Sequence, residues 1–368
     1  MWVFKMERIL HCLPGNLDVG GIENFIININ RYIDKTNYKF DYIVHKKDKN
    51  FYEDEVNSLG GKIYRLPNKS KNFIEYKKQF IKIVKNYNII HIHSVYAFTF
   101  FEAYWAKKMG VKVILHSHNS SASFKRRMLH YILKNSQDRY IDLRLSCSSA
   151  ATKWMFRKRS QNKTVYIRNG FDIHKYRFNK LSRDKLRQYY DIGEKDIVLG
   201  NTSRFSAQKN PLFTIDIFNK LYLNDDRYRL VLVGEGDLKK EIENKIKELK
   251  LIDVVKIIDG VKNVEDYLSM FDLFIFPSLY EGLGISLLEA QINGLNCLIS
   301  QNIPEEAIIL KEKIFILSNE HIEEWQKCIL NINFNELRLV SLEEFEDFDV
   351  KNVVNEIEKK YFKLMLTK

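Results

Sequence analysis

The chain has 368 residues, of which 45% are hydrophobic and 29% are charged. This composition is typical of a globular protein and excludes an intrinsically disordered chain. The length exceeds the size at which a single hydrophobic core stops growing, which predicts two domains. No apolar run in the sequence reaches the roughly 20 residues that a membrane-spanning helix needs.

The N-terminus and the cysteines favour a cytoplasmic protein. Lys5, Glu7 and Arg8 interrupt the first apolar stretch, whereas a signal peptide has an uninterrupted apolar segment before its cleavage site. The four cysteines lie far apart and form no CxxC pair, which predicts buried free thiols in a reducing compartment.

The net charge of +12 is unevenly distributed along the chain. Residues 1–172 contain 31 lysines and arginines against 14 acidic residues, whereas residues 173–368 contain 28 against 33. This asymmetry predicts that the two halves meet different partners. Charge alone leaves nucleic acid, anionic lipid and a phosphorylated substrate open.

Strand-like and helix-like stretches alternate in the first half of the chain. The predicted strands are Arg8–Leu13, Phe40–His45, Lys62–Leu66, Ile89–His93 and Val111–His116. The predicted helices between them are Ile22–Tyr32, Glu53–Leu59, Asn72–Tyr87 and Phe98–Met109. This alternation predicts a parallel sheet covered by helices.

The alternation resumes after a connector at residues 169–179. The predicted strands are Ile197–Thr202, Tyr228–Val233, Val254–Ile258, Leu273–Pro277 and Asn296–Ser300. The predicted helices are Pro211–Tyr222, Leu238–Leu249, Val264–Met270 and Leu283–Asn293, and an apolar stripe predicts a last helix over Val350–Leu366. Two such series predict two α/β domains, whose ligands lie beyond the carboxyl ends of the strands.

The densest motif covers residues 276–290 and reads FPSLYEGLGISLLEA. A predicted buried strand ends at Pro277, a glycine-containing loop follows, and a predicted helix begins near Leu283. The first turn of that helix offers unpaired backbone amides and the positive end of the helix dipole, which suit a diphosphate. Glu281 in the loop and Glu289 in the helix can accept hydrogen bonds from the hydroxyl groups of a ribose or a hexose.

This motif resembles the paired glutamates of the retaining GT-B glycosyltransferases of family 4. Further segments in family order, over roughly residues 8–310, resemble other landmarks of that family: Gly20-Gly21-Ile22-Glu23, Asn169-Gly170-Phe171-Asp172, Arg204 to Lys209, and Leu230–Gly236. Five motifs in order are much more specific than one. The resemblance implies an α/β fold of two Rossmann-like domains that face each other across a cleft. We expect residues 1–172 with 350–368 to form the acceptor-side domain and residues 173–349 the donor-binding domain.

The resemblance also implies catalytic roles for residues at matching positions. Arg204 and Lys209 are expected to neutralise the donor diphosphate, for which a guanidinium and an ammonium are suited. Glu281 is expected to contact the transferred sugar, and His118 to face that sugar from the first domain. His116 is the competing choice, because side chains alternate along a strand.

The expected donor-binding residues share positions in or near the loops that end the strands. They are Glu289, Gly282, Leu283, Gly284, Ile285, Gly234 and Asn169, with Glu289 holding the ribose hydroxyls. Gly20 and Gly21 are expected in the acceptor-side loop. His91 and His93 end another predicted strand and are left out of the site.

Two patterns bear on rival functions. Gly234–Lys239 begins like a dinucleotide fingerprint but has Lys239 where the third glycine belongs, which weakens the case for a nicotinamide oxidoreductase. Asp347-Phe348-Asp349 matches the D-x-D metal signature of the other major glycosyltransferase fold, but it lies in a late acidic stretch and is expected to be a solvated loop. We therefore expect no metal and no cofactor, with a nucleotide diphosphate sugar as co-substrate.

Two basic segments interleaved with apolar residues, 124–133 and 153–163, lie in the first half. Lys125, Arg126 and Arg127 precede Met128 in the first of them. Such a segment suits an interfacial helix on an anionic membrane, and an ordinary solvated helix over a core gives the same pattern. No nucleic-acid-binding motif is present in the sequence. Members of the resembling family often use lipid-linked acceptors at the inner face of the cell membrane, so we expect a peripheral location there.

The predicted activity is transfer, with retention, of a hexose or N-acetylhexosamine from a nucleotide diphosphate sugar, with UDP favoured. The expected acceptor is a glycan or a polyprenyl-linked glycan in bacterial surface polysaccharide synthesis. Besides the nicotinamide oxidoreductase, which Lys239 already weakens, two alternatives remain open. One is a sugar-nucleotide epimerase of the same fold, and the other is a partner subunit that binds a nucleotide sugar without turnover.

Overall fold

The computed structural model describes residues 6–18, 20–119, 124–334 and 338–366, with the side chains of residues 124–126 outside the description. The chain divides into two compact units, Met1–Asp172 with Asp347–Lys368, and Ile173–Glu346. Each unit contains one sheet, and every described strand pair in it is parallel.

The sheet of the first unit has seven strands in the described residues. They are β1 (Glu7–Cys12), β2 (Tyr38–Val44), β3 (Ile63–Arg65), β4 (Ile89–Ser94), β5 (Lys112–Ser117), β6 (Leu143–Ser146) and β7 (Thr164–Tyr166). The helices are α1 (Gly21–Tyr32), α2 (Glu53–Ser58), α3 (Phe73–Val84), α4 (Phe100–Lys108), α5 (Phe124–Gln137), α6 (Ser149–Met155) and α7 (Lys158–Gln161). The strand order β3-β2-β1-β4-β5-β6-β7 reverses between β1 and β4, where doubly wound sheets bind ligands.

The second unit repeats this plan. Its strands are β8 (Ile197–Thr202), β9 (Tyr228–Val233), β10 (Val255–Ile258), β11 (Leu273–Phe276), β12 (Asn296–Ser300) and β13 (Ile314–Leu317). Its helices are α8 (Lys180–Tyr189), α9 (Pro211–Tyr222), α10 (Lys239–Glu248), α11 (Val264–Met270), α12 (Ile285–Ile292) and α13 (Ile322–Leu330). The order β10-β9-β8-β11-β12-β13 reverses between β8 and β11.

The last helix, α14 (Val350–Leu366), returns to the first unit. The chain enters it through a short parallel bridge between Phe171 and Asp349, where Phe348 packs against Phe171 and is 1% exposed. The expectation of a solvated loop at residues 347–349 is therefore wrong for Phe348, because the ring completes the core at this junction. Asp347 is exposed and lies 3.0 Å from Arg168.

The apolar stripe of α14 packs into the core that α1 and the strands β1 and β2 form on one face of the first sheet. The buried residues of this stripe are Val350, Val353, Val354, Ile357, Tyr361 and Leu364. A separate core, to which α3, α4 and α6 contribute, covers the other face. Within the described residues, no helix is both long and apolar enough to cross a bilayer.

Replacing Ile357 with alanine should lower the free energy of unfolding of the first unit by about 2–5 kcal/mol, because it empties a core position that is 1% exposed. The exposed Asn355→Ala on the same helix is the control and should change the stability by about 0.5 kcal/mol or less. Urea unfolding of both variants measures the difference. Equal stabilities would show that α14 contributes little to this core.

Candidate active site

In the second unit, residues 277–284 form the loop between β11 and α12. Gly284 has φ +86°, in the left-handed region, and α12 therefore begins at Ile285. The predicted start near Leu283 is therefore two residues too early. The side chain of Leu283 is 4% exposed, so only its backbone is available to a ligand. The amides of Ile285 and Ser286 lie in the first turn, where the helix itself offers them no acceptor.

The loop before α12 is tied to residues 203–210, which follow β8. The Nζ atom of Lys209 donates to Oε1 of Glu281 at 2.6 Å. The backbone amide of Leu279 donates to the carbonyl of Gln208 at 2.8 Å, and Nε2 of Gln208 donates to the carbonyl of Tyr280 at 2.8 Å. Because β8 and β11 adjoin where the strand order reverses, two predicted site residues meet there: Lys209 and Glu281.

Arg204 and Gly234 lie on neighbouring loops of the same unit. The Arg204 side chain is exposed. A Cβ at Gly234 would lie 2.0 Å from the carbonyl oxygen of Ser203, and one at Gly236 would lie 2.4 Å from that of Phe205. The close approach of these backbones explains both glycines without a ligand. The donor-binding role of Gly234 stays a prediction.

Glu289 lies on α12 and is 7% exposed. Burial raises the pKa of its carboxyl to about 7, and a hydrogen bond from the Tyr176 side chain and the charge of Lys175 oppose that shift. The charge of Lys209 also lowers this pKa, which places Glu289 within electrostatic reach of the Lys209–Glu281 pair. Sequence reasoning missed Tyr176 and Lys175, because the connector that carries them matches no motif beyond residue 172.

The raised pKa makes Glu289 unfavourable for folding. Below pH 4.5 the carboxyl is protonated in both states, and between pH 4.5 and about 7 it ionises in the unfolded chain alone. The free energy of unfolding therefore falls across this window and stays reduced above it. A carboxyl that destabilises the fold in this way is a candidate functional group.

Five histidines lie together at the carboxyl end of the first sheet, and we call them the histidine cluster: His11, His91, His93, His116 and His118. His11 Nδ1 lies 3.0 Å from His93 Nε2, and His93 Nδ1 lies 2.9 Å from His118 Nε2. His91 Nδ1 lies 2.8 Å from the hydroxyl of Tyr361 on α14. The ring centroids of His116 and His118 lie 4.1 Å apart with the rings tilted by 33°, so both side chains lie on one face of the sheet.

Burial lowers the pKa of all five cluster histidines, most strongly for His91, His93 and His116. The cluster is therefore neutral at physiological pH. Within the described chain, both ring nitrogens of His116 and the Nε2 atoms of His11 and His91 are buried without a hydrogen-bond partner. His91 and His93, which the sequence analysis leaves out of the site, belong to this cluster through their neighbours rather than through an assigned ligand, and the pattern His-x-His recurs at residues 91–93 and 116–118.

The remaining predicted residues of the first unit lie near the same sheet edge or at the junction with α14. Gly20 precedes α1 in an extended conformation, and Gly21 is the first residue of α1. Phe25, one turn later, packs edge-on against His116 at 5.3 Å and lies 5.6 Å from His118. Asn169 is 6% exposed and belongs to this unit, although it was predicted to bind the donor.

The two basic segments differ in their exposure. Met128, Tyr131 and Ile132 on α5 are 59%, 53% and 69% exposed. In the segment 153–163, by contrast, the apolar residues Trp154, Met155 and Phe156 are buried in the core. The second segment is an ordinary solvated surface, and only α5 keeps the features of an interfacial helix. Lys125 and Arg126 have side chains outside the described set.

Comparison with known proteins assigns the family. A Glycosyltransferase Family 4 domain matches residues 19–175, and a Glycosyl transferases group 1 domain matches residues 182–338. The chain belongs to the family 4 glycosyltransferases. EpsF of Bacillus subtilis is named as a glycosyltransferase. It is 29% identical to this chain over 313 residues, which cover 82% of this chain and 81% of EpsF.

Two further proteins are similar to this family 4 glycosyltransferase over nearly its whole length. CapH of Staphylococcus aureus, a capsular polysaccharide biosynthesis glycosyltransferase, is 24% identical over 374 residues, covering 97% of this chain and 99% of CapH. The crystal structure of Anabaena HepE in complex with UDP-glucose superposes with a TM-score of 0.81 at 18% identity, covering 97% of this chain and 99% of HepE. The predicted α/β fold of the GT-B class, built from two Rossmann-like domains, is confirmed.

Acid should destabilise the first unit through the histidine cluster. The pKa values of these histidines are lowered on folding, so below about pH 6.5 the unfolded chain takes up protons that the folded chain does not. Each buried histidine then lowers the free energy of unfolding by up to about 1.4 kcal/mol per pH unit. The free energy of unfolding, measured with urea at several pH values between 5 and 8, should fall less steeply with decreasing pH for His116→Leu than for the wild type. The exposed His321→Gln is the control, and equal slopes for all three proteins would contradict the expectation.

Proposed function

We propose that this glycosyltransferase moves a hexose or N-acetylhexosamine from a UDP-sugar to a glycan or lipid-linked glycan in bacterial surface polysaccharide synthesis, with retention of the anomeric configuration. The observation that carries the proposal is the meeting of Lys209 and Glu281 beside the start of α12, where the strand order of the second unit reverses. The kinship with CapH supports the polysaccharide, and the UDP-glucose complex of HepE supports the nucleotide.

The donor diphosphate is assigned to Lys209, Arg204 and the first amides of α12. In the free protein the Lys209 ammonium pairs with the Glu281 carboxylate at 2.6 Å. A diphosphate carries more negative charge than one carboxylate and so competes for this ammonium. Glu281 is then available to accept hydrogen bonds from the transferred sugar. Cationic groups held in place before the reaction stabilise the charge that develops on the departing diphosphate.

Glu289 is assigned to the ribose of the donor. Its carboxyl is buried and accepts a hydrogen bond from the Tyr176 side chain. Two vicinal ribose hydroxyls would supply donors that stabilise the ionised form. In the first unit, His118 is assigned to the transferred sugar and the Gly20-Gly21 loop to the acceptor.

The decisive experiment is a panel of nucleotide sugars screened by thermal shift, followed by product analysis with a cell-envelope lipid extract as acceptor. The expected result is stabilisation by one UDP-sugar and a glycosylated lipid product, with or without EDTA. An epimer formed from the donor alone would identify the sugar-nucleotide epimerase instead. Stabilisation without any product would identify the non-catalytic partner subunit.

Glu289→Gln should separate stability from function. Removing the buried ionisable group should raise the free energy of unfolding at pH 8 by up to about 3 kcal/mol, because the folded pKa of about 7 exceeds the ordinary value of 4.5. The same variant should lose most of the thermal shift that the donor gives, because an amide has one acceptor oxygen where the carboxylate has two. The exposed Glu248→Gln is the control for both measurements. Wild-type donor binding in Glu289→Gln would contradict the ribose assignment.

We also propose that α5 docks on an anionic membrane. Its apolar side chains Met128 and Ile132 are exposed, and Arg127 lies beside them in a strongly basic half of the chain. Burial of apolar side chains in the lipid interface and attraction of cations to acidic headgroups reinforce each other. A lipid-linked acceptor would then reach the protein from this surface.

Replacing Met128 and Ile132 with serine should reduce sedimentation with vesicles that contain anionic lipid by about tenfold, and salt should reduce wild-type binding. Leu181→Ser on α8 is the matched control, because Leu181 is an 80% exposed apolar side chain in the second unit. If the double variant and the control sediment like the wild type, α5 is not a membrane surface.

A further inference from the structure

The histidine cluster contains a chain of three rings joined by two hydrogen bonds. His93 uses both of its ring nitrogens, Nε2 toward His11 Nδ1 at 3.0 Å and Nδ1 toward His118 Nε2 at 2.9 Å. His93 is fully buried, with an exposed fraction of 0%. It stacks on His91 at 4.2 Å and lies 6.5 Å from Phe25, so its ring has little freedom to turn.

A neutral imidazole has one donor nitrogen and one acceptor nitrogen. The two hydrogen bonds of His93 must therefore run in the same direction along the chain. In one direction, His11 donates to His93 and His93 donates to His118, so that His118 carries its hydrogen on Nδ1. In the other direction, His118 donates through Nε2, and His11 is left with its hydrogen on the buried Nε2.

The surroundings of His11 select between these directions. Its Nε2 atom is buried and, within the described part of the chain, has no hydrogen-bond partner, and its ring lies 4.1 Å from that of Phe40. An orphaned buried N–H group is rare in proteins and loses the whole of its hydration. The first direction avoids an N–H at this position and leaves only a lone pair there.

We propose that His93, itself held by His11, is a positioning residue that fixes His118 as the neutral Nδ1–H tautomer. This rests on the proposed function in assigning His118 to the transferred sugar. The Nδ1–H group then donates a hydrogen bond to a sugar hydroxyl in a defined orientation.

The test uses the full chain labelled with ¹⁵N-histidine, in the wild type and in His93→Leu, with His118 identified by the signals lost in His118→Gln. In the wild type the ring ¹⁵N shifts should show Nδ1 of His118 protonated and Nε2 unprotonated at neutral pH. In His93→Leu the two tautomers should average. His91→Leu is the matched control, since His91 is equally buried on the same strand and bonds Tyr361 rather than His118.

Kinetics with the donor and acceptor found by the product assay give a second readout. His93→Leu should lower kcat about tenfold or more with the donor KM within about threefold, and His93→Asn, whose amide can donate to His118, should recover part of kcat. His91→Leu should keep both constants close to those of the wild type. Equal losses in His93→Leu and His91→Leu would overturn the proposal.

Two other outcomes would also overturn it. The first is a wild-type His118 protonated on Nε2 or on both nitrogens at neutral pH. The second is a rise in Tm with one equivalent of ZnCl2 that His93→Leu abolishes, because the nitrogens would then serve as metal ligands. The NMR measurement needs no substrate. If the protein transferred no sugar, the proposed function would fail, but the NMR measurement would still determine the tautomer of His118.

Discussion

The reversal of strand order in each parallel sheet is the constraint on which both sites depend. In a doubly wound sheet, the crossovers on either side of the reversal run to opposite faces and leave a crevice at the carboxyl ends of two adjacent strands. In the second unit these strands are β8 and β11, and the loops that follow them carry Lys209 and Glu281. In the first unit they are β1 and β4, which carry His11 and His93. The topology therefore gathers polar residues that are distant in sequence.

Each unit also holds polar groups near its site that reduce the stability of the fold. Glu289 is a buried carboxyl whose pKa is raised to about 7, and the cluster histidines hold several buried nitrogens without a described partner. Groups that cost stability persist where a ligand or a reaction compensates for them. The Lys209–Glu281 pair differs, because each charge already has its counter-charge at 2.6 Å. This ion pair is satisfied at rest, and the proposed binding of a diphosphate would require it to separate.

The sequence predicted long, periodic elements well and conformations that depend on one backbone angle poorly. The helices over 211–222, 264–270 and 350–366 have the predicted bounds, since Pro211 marks the first turn of the first helix and an apolar stripe marks the last helix. The start of α12 was missed because it depends on the left-handed conformation of Gly284, which tertiary packing decides. The strands β6, β7 and β13 and the helices α6, α7, α8 and α13 were not predicted.

Among the site residues, motif spacing was sufficient to place Lys209 and Glu281 in the loops that follow two strands of the same sheet. It could not find Tyr176, whose link to Glu289 depends on the course of a connector without regular structure. Nor could it find the His11–His93 contact, which depends on β1 and β4 being neighbours. Sequence separation hides such pairs, because a contact between strands is set by topology and not by spacing.

The return of α14 to the first unit has a consequence for biosynthesis. The core of that unit needs Val350 to Leu364, and the Tyr361 hydroxyl bonds His91 inside the histidine cluster. Residues 173–346 leave the ribosome before this helix exists, so the unit encoded in the middle of the gene can complete its core first. Until α14 has been synthesised, the N-terminal sheet lacks the six buried side chains with which this helix completes the core on one face, so the apolar residues that they cover stay in contact with water for longer than those of the second unit.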